Sequence, residues 1–118
     1  MAVENRQNVR YPEIGRVVCP ELCPLSGILD DISLLGCKIH FPVVAVVDLE
    51  NEYMLKISLS RSPDEAPLQL LSKPKWVKEC AGATQIGMEI LYSPDQSRLK
   101  DFIKYLEEIS NDELPEIL

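Results

Sequence analysis

Two short groups of polar residues near the start of the chain have the chemistry to bind phosphate and a purine base. Arg6 and Arg10 each carry a planar guanidinium group, which suits phosphates and the O6/N7 edge of guanine. Asp31 and Ser33 offer a carboxylate and a hydroxyl to the amino and imino groups of a purine. Gly36 follows them, where the backbone must bend or approach a neighbour closely. Together the five residues are complementary to an anionic guanine nucleotide.

Short stretches of alternating apolar and polar residues predict the strands that position these groups. The predicted strands are residues 15–19, 25–30, 37–41, 53–59, 68–71, 75–80 and 85–91. Residues 20–24 and 31–35 are predicted turns, residues 81–83 a tight connection, and residues 43–49 either a strand or a connection. This pattern indicates a small antiparallel β-barrel of six or seven strands. A barrel of this size is filled by side chains, so a ligand must bind outside it or at a rim.

A helical pattern begins after the last predicted strand. Ser93 is a candidate N-cap, Pro94 fits the first turn, and Gln96 lies three residues after the serine. An apolar stripe then recurs at helical spacing, formed by Leu99, Phe102, Ile103, Leu106 and Ile109. We expect this stripe to seal an open end of the barrel, and a helix that binds a partner is the alternative.

Antiparallel pairing predicts that the two polar groups lie at the same rim. Arg10 precedes the first strand and Asp31 follows the second, and pairing brings the start of one strand beside the end of the next. Each group also has a simpler interpretation taken alone. Asp31 and Ser33 would suit an ordinary polar turn, and Gly36 would suit a positive φ angle.

Composition restricts the class of protein. The 118 residues fit one domain, and the formal net charge of −7 argues against a binder of duplex DNA or RNA. No apolar run is long enough for a membrane span and the first ten residues are polar, so we expect a cytoplasmic protein without membrane insertion. We expect a flexible arm at residues 1–12, the barrel at 13–92, the helix at 93–110 and an acidic tail at 111–118.

The residue types that serve catalysis and metal binding are few. The four cysteines, Cys19, Cys23, Cys37 and Cys80, are expected to be buried or half-buried thiols in a reducing compartment, with a zinc site as the alternative. The single histidine, His40, alternates with strand residues and suggests no nucleophile–base pair, so we expect neither an enzyme nor a metal site. Trp76 either packs on the barrel or provides a stacking surface for a base.

The two polar groups resemble the paired motifs of the PilZ domain, a bacterial receptor module for cyclic di-GMP. That family has an RxxxR stretch before its first strand and a (D/N)xSxxG stretch after its second, and residues 6–10 and 31–36 match both. Residues 75–78 and 83–90 resemble its late strands, and the similarity extends over about residues 5–109. The resemblance implies a PilZ-like split barrel capped by one helix.

The resemblance also implies roles for individual residues. Arg6 and Arg10 would hold phosphate and guanine, Asp31 would accept hydrogen bonds from guanine N1 and N2, Ser33 would contact phosphate or a base edge, and Gly36 would allow close approach. The arm would become ordered around cyclic di-GMP and pass the signal to an unidentified effector protein, without catalysis, in motility or biofilm regulation. We expect a monomer or weak homodimer. The alternative is a PilZ-like interaction adaptor that does not bind cyclic di-GMP appreciably.

Overall fold

Six antiparallel strands close into a barrel, and one helix follows them. The computed structural model describes residues 11–61 and 64–113. Around the barrel the strands follow the order β1-β2-β3-β6-β5-β4, and pairing of β1 with β4 closes it. The elements are β1 Tyr11–Cys19, β2 Cys23–Ile32, β3 Gly36–Phe41, β4 Tyr53–Leu59, β5 Leu68–Cys80, β6 Ala83–Tyr92 and α1 Gln96–Glu113. The predicted small antiparallel barrel with a C-terminal helix is confirmed.

Alternation along the strands fills the barrel interior. On β4 every second side chain from Tyr53 to Leu59 is buried, as the sequence pattern predicted. Leu99, Ile103 and Leu106 of α1 belong to the same buried cluster, so the apolar stripe of the helix packs on the barrel. Full burial of one such side chain contributes about 1.5–3 kcal/mol. The helix is therefore held mainly by these contacts.

The strand β5 is longer than the sequence pattern suggested. We predicted separate strands at residues 68–71 and 75–80, but Leu68–Cys80 is one continuous strand of 13 residues. Its pairing with β6 shifts between Pro74 and Trp76, which makes Lys75 the extra residue of a β-bulge. The bulge absorbs the irregularity that the proline introduces, and the strand continues beyond it.

Side-chain and backbone contacts determine the conformation of residues 43–49 and the close spacing of β2 and β3. Residues 43–49 form a connection rather than a strand, in which Ala45 N donates to Thr84 Oγ1 and that hydroxyl donates to the Val43 carbonyl. Gly27 allows β2 to approach β3 closely, because a Cβ there would lie 2.7 Å from the His40 carbonyl oxygen.

The turn between β5 and β6 has two residues. Ala81 and Gly82 both have positive φ angles, 54° and 82°, as in the primed turns that suit two-residue hairpins. The predicted tight connection is confirmed at this position.

The helix begins later than predicted. The first helical hydrogen bond is accepted by the Asp95 carbonyl, from Leu99 N. The Ser93 hydroxyl still caps the turn before the helix, because it accepts a hydrogen bond from Asp95 N at 2.9 Å. The Ser93 hydroxyl also donates to the Gln69 carbonyl at 2.6 Å, and Gln69 N donates to the Asp95 carboxylate at 2.9 Å. These two bonds attach the start of α1 to β5. Within the described ranges, no helix combines the length and apolar character needed to cross a membrane.

Candidate functional site

The start of β1 lies beside the end of β2, where the second polar group begins. Tyr11 pairs with Ile32 and Pro12 pairs with Asp31. The chain therefore enters the barrel next to the carboxylate that we predicted as a ligand contact. Arg6 and Arg10 lie outside the described residues, so their contact with Asp31 stays a prediction. Asp31 itself is half-buried and pairs on its other side with Lys38 of β3.

Ser33 and Gly36 form the turn between β2 and β3. The Ser33 hydroxyl accepts hydrogen bonds from the backbone N–H groups of Leu35 (3.2 Å) and Gly36 (3.1 Å), and it donates to the Gly36 carbonyl (3.2 Å). Ser33 is buried, and its own N–H donates to the Gly36 carbonyl at 2.8 Å. The hydroxyl thus shapes the turn that follows Asp31. A role for Ser33 in contacting ligand stays a prediction.

Replacing Ser33 with alanine is expected to lower the free energy of unfolding by about 1–3 kcal/mol, because the buried N–H group of Gly36 and the partly buried N–H group of Leu35 lose their acceptor. Urea unfolding followed by circular dichroism measures this, and Ser60→Ala in the exposed turn after β4 is the control. A Ser33→Ala protein of unchanged stability that binds ligand more weakly would contradict the turn role and favour direct contact.

Four residues in adjacent strands form an outer-face row at this rim: Asp31, Lys38, Gly87 and Trp76. Asp31 pairs with Lys38, Lys38 with Gly87, and Gly87 with Trp76. Directly paired residues project to the same face of a sheet, and the neighbours of Lys38 in β3 are buried, so the row faces outward. A carboxylate, an ammonium group and an indole therefore lie side by side.

Glycine at position 87 lets the indole lie flat on the barrel. A Cβ at Gly87 would overlap the Trp76 ring, including Nε1 and Cε2. Trp76 remains 42% exposed. It therefore packs on the outside of the barrel and keeps an accessible face, which makes base stacking sterically available. Lys38 was not among the predicted site residues. Alternation in β3 was the available signal, since it places Lys38 on the outer face.

His40 lies within hydrogen-bond distance of the Asp30 carboxylate. Its Nδ1 lies 3.0 Å from both carboxylate oxygens of Asp30, and both side chains are about one-third to one-quarter exposed. In the part of the chain that the structure describes, no three His, Cys, Asp or Glu side chains gather as a metal site would require.

The cysteines differ from one another in burial. Cys19, Cys23 and Cys37 are buried free thiols, as expected, whereas Cys80 is exposed and corrects our prediction for that residue. Cys80 is exposed because the second half of β5 pairs with β6 alone among the described strands. Burial raises the pKa of the Cys19 thiol, which favours the neutral form and makes it a poor nucleophile.

A cleft of about 660 Å³ lies between α1 and the loop that precedes β5. Leu59 and Leu68 line its apolar part, and Phe102 and Tyr105 line it from the helix. The Arg61 guanidinium lies 5.9 Å from the centre of the Tyr105 ring. The helix thus buries most of its apolar stripe on the barrel, while Phe102 is partly exposed and Tyr105 is exposed at the cleft.

Comparison with known proteins supports the architecture. No protein-family model matches the sequence, and no curated protein sequence matches it either. Among solved structures, the inhibitor of motility MotI/DgrA of Bacillus subtilis matches with a TM-score of 0.71 and 16% sequence identity. The match covers 95% of this chain and 54% of that chain, so this chain spans about half the length of the solved protein. At this identity the likeness establishes the fold alone, a small closed antiparallel barrel followed by a helix.

Proposed function

We propose that this protein is a non-catalytic cyclic di-GMP receptor that acts as an adaptor in the cytoplasm. In this proposal the ligand lies on the outer face of the barrel, at the rim where β1, β2 and β3 meet. Arg6, Arg10, Asp31, Ser33 and Gly36 form or shape the contact surface. Binding orders the arm that carries the arginines and changes the interaction with a protein partner.

The observation that carries the proposal is the pairing of Pro12 with Asp31. Arg10 is two residues before Pro12, and extended chain advances about 3.3 Å per residue, so the guanidinium of Arg10 can reach the Asp31 end of β2. Cyclic di-GMP is an anion with two guanine bases and two phosphates. A carboxylate for guanine N1 and N2, with guanidinium groups for phosphate and O6/N7, is the matching set of groups.

The outer-face row adds two groups of suitable chemistry. The Lys38 ammonium lies between Asp31 and Gly87 in the register and offers a positive charge to a phosphate. The half-exposed indole of Trp76 offers a flat surface to a base. The chain as a whole is acidic, with a net charge of −7, so an anionic ligand needs such a local set of cations.

Isothermal titration of the wild-type protein with cyclic di-GMP tests the proposal. We expect saturable binding at micromolar ligand, with quenching or a shift of the fluorescence of the single tryptophan, Trp76. Cyclic di-AMP is the matched control ligand, since it keeps the phosphates and ring but lacks guanine N2 and O6. Absence of saturable binding at tens of micromolar cyclic di-GMP would contradict the proposal.

The second candidate function is an interaction adaptor that does not bind cyclic di-GMP appreciably. It is favoured by exposed apolar side chains on the connection after β3, where Val44 is 56% and Val46 is 91% exposed. The two candidates differ in one measurement. An affinity-purified partner whose binding to this protein is unchanged by saturating cyclic di-GMP favours the second, and a ligand-dependent affinity favours the first.

A further inference from the structure

A β-bulge places two successive carboxylates on the outside of the barrel. The pairing of β2 with β3 runs from Leu29–Ile39 directly to Asp31–Lys38, so Asp30 is the extra residue. Successive residues of a regular strand point to opposite faces. Here Asp30 and Asp31 are both half-buried, and Asp31 pairs with the outward-facing Lys38. The Asp30 carboxylate lies within hydrogen-bond distance of His40, the next outward-facing residue of β3.

Asp30 borders a concave site that the predicted motif does not include. This β3–β6 cavity has a volume of about 460 Å³, within the range of small-molecule sites. Its lining consists of Asp30, Lys38, His40, Cys80, Ala83 and Gln85. The cavity adjoins the outer-face row, because Lys38 belongs to both.

The polar groups of the cavity repeat the chemistry of the outer-face row. Each site has one carboxylate, Asp30 or Asp31, and both share the Lys38 ammonium. In the cavity His40 lies 3.0 Å from Asp30 and pairs in the register with Gln85 of β6. A ligand with two identical halves needs two sites of similar chemistry at a short separation. On β3, Lys38 pairs with Asp31 of the first site and His40 contacts Asp30 of the second. These two β3 residues are two positions apart, which is about 7 Å along a strand.

We propose that the β3–β6 cavity receives the second guanine base of the cyclic di-GMP molecule whose first base lies at Asp31. This inference rests on the proposed function. The Asp30 carboxylate accepts hydrogen bonds from guanine N1 and N2 through the lone pairs that His40 leaves available. The Gln85 amide and the Lys38 ammonium donate to O6 and N7.

Proton NMR of the wild-type protein tests this without any substitution. The chain has one histidine and one tryptophan, so the His40 ring signal and the Trp76 indole N–H signal are each unique in sequence. We expect cyclic di-GMP to shift both signals over the same range of ligand concentration, because one molecule would occupy both sites. Cyclic di-GMP that binds by titration but leaves the His40 signal unmoved would overturn the second subsite and leave the proposed function standing.

Two variants test the same subsite by affinity. We expect Gln85→Ala and Asp30→Asn each to weaken cyclic di-GMP binding by about threefold to tenfold. Gln96→Ala, at the exposed start of α1, is the matched control. Wild-type affinity in both folded variants overturns the subsite alone. Absence of cyclic di-GMP binding by the wild-type protein overturns the proposed function together with it.

Discussion

Replacing Phe41 with alanine is expected to lower the free energy of unfolding by about 3–5 kcal/mol, one of the two largest effects we predict. Phe41 ends β3, is fully buried, and pairs with Thr84. Its ring occupies the space beside Gly27, where an added Cβ would lie 2.8 Å from ring carbons. Because that packing is tight, the backbone cannot collapse far enough to fill the cavity that alanine would leave.

Denaturant unfolding measured by circular dichroism and by Trp76 fluorescence checks this prediction. Val46→Ala is the control, since Val46 is 91% exposed and its truncation should change stability by less than about 0.5 kcal/mol. If Phe41→Ala and Val46→Ala lowered the free energy of unfolding by the same amount, the tight packing of the Phe41 ring would be contradicted.

Substitution of Asp31 or Arg10 with alanine is expected to weaken cyclic di-GMP binding by about 1–3 kcal/mol each, since each removes a charge-assisted hydrogen bond. Every 1.4 kcal/mol corresponds to a tenfold change in dissociation constant, so titration calorimetry resolves the effect. Asp31 lies in the outer-face row at the point where β1 begins, and the two residues are expected to act on one ligand. The double variant should therefore lose less than the sum of the two single losses.

Asp101→Asn on the exposed side of α1 is the control for a general change of charge, and its affinity should match that of the wild type. Strictly additive losses in the double variant would place Arg10 and Asp31 in independent roles. Unchanged affinity in both single variants would place the ligand elsewhere on the protein.

Local patterns predicted the strand and helix in which buried residues recur at a regular spacing along the sequence. The strand at residues 53–59 was predicted with its observed bounds, because every second residue faces the interior. The stripe of α1 was predicted for the same reason, since Leu99, Ile103 and Leu106 recur at helical spacing and are all buried. The predicted pairing of the start of the first strand with the end of the second was confirmed, because Tyr11 pairs with Ile32. The position of Arg6 and Arg10 at the same rim stays a prediction.

Local patterns failed where a neighbouring strand decides the geometry. The local pattern predicted separate strands at residues 68–71 and 75–80, yet β6 continues to pair with β5 on both sides of the bulge at Lys75. Ser93 has the sequence context of an N-cap and accepts a hydrogen bond from Asp95 N, but its hydroxyl also donates to Gln69 of β5, which no local pattern indicated. Neither outcome follows from residues close in sequence.

The sequence by itself determined the residue types available to the proposed guanine-nucleotide site, the strand-rich class of the barrel and the apolar face of its helix. These properties depend on side-chain chemistry and on periods of two or 3.6 residues, which are local. Only the tertiary structure decided that Asp31, Lys38, Gly87 and Trp76 form one row and that Asp30 projects beside them. Register between strands and the position of a bulge depend on packing between segments distant in sequence, and no local pattern encodes them.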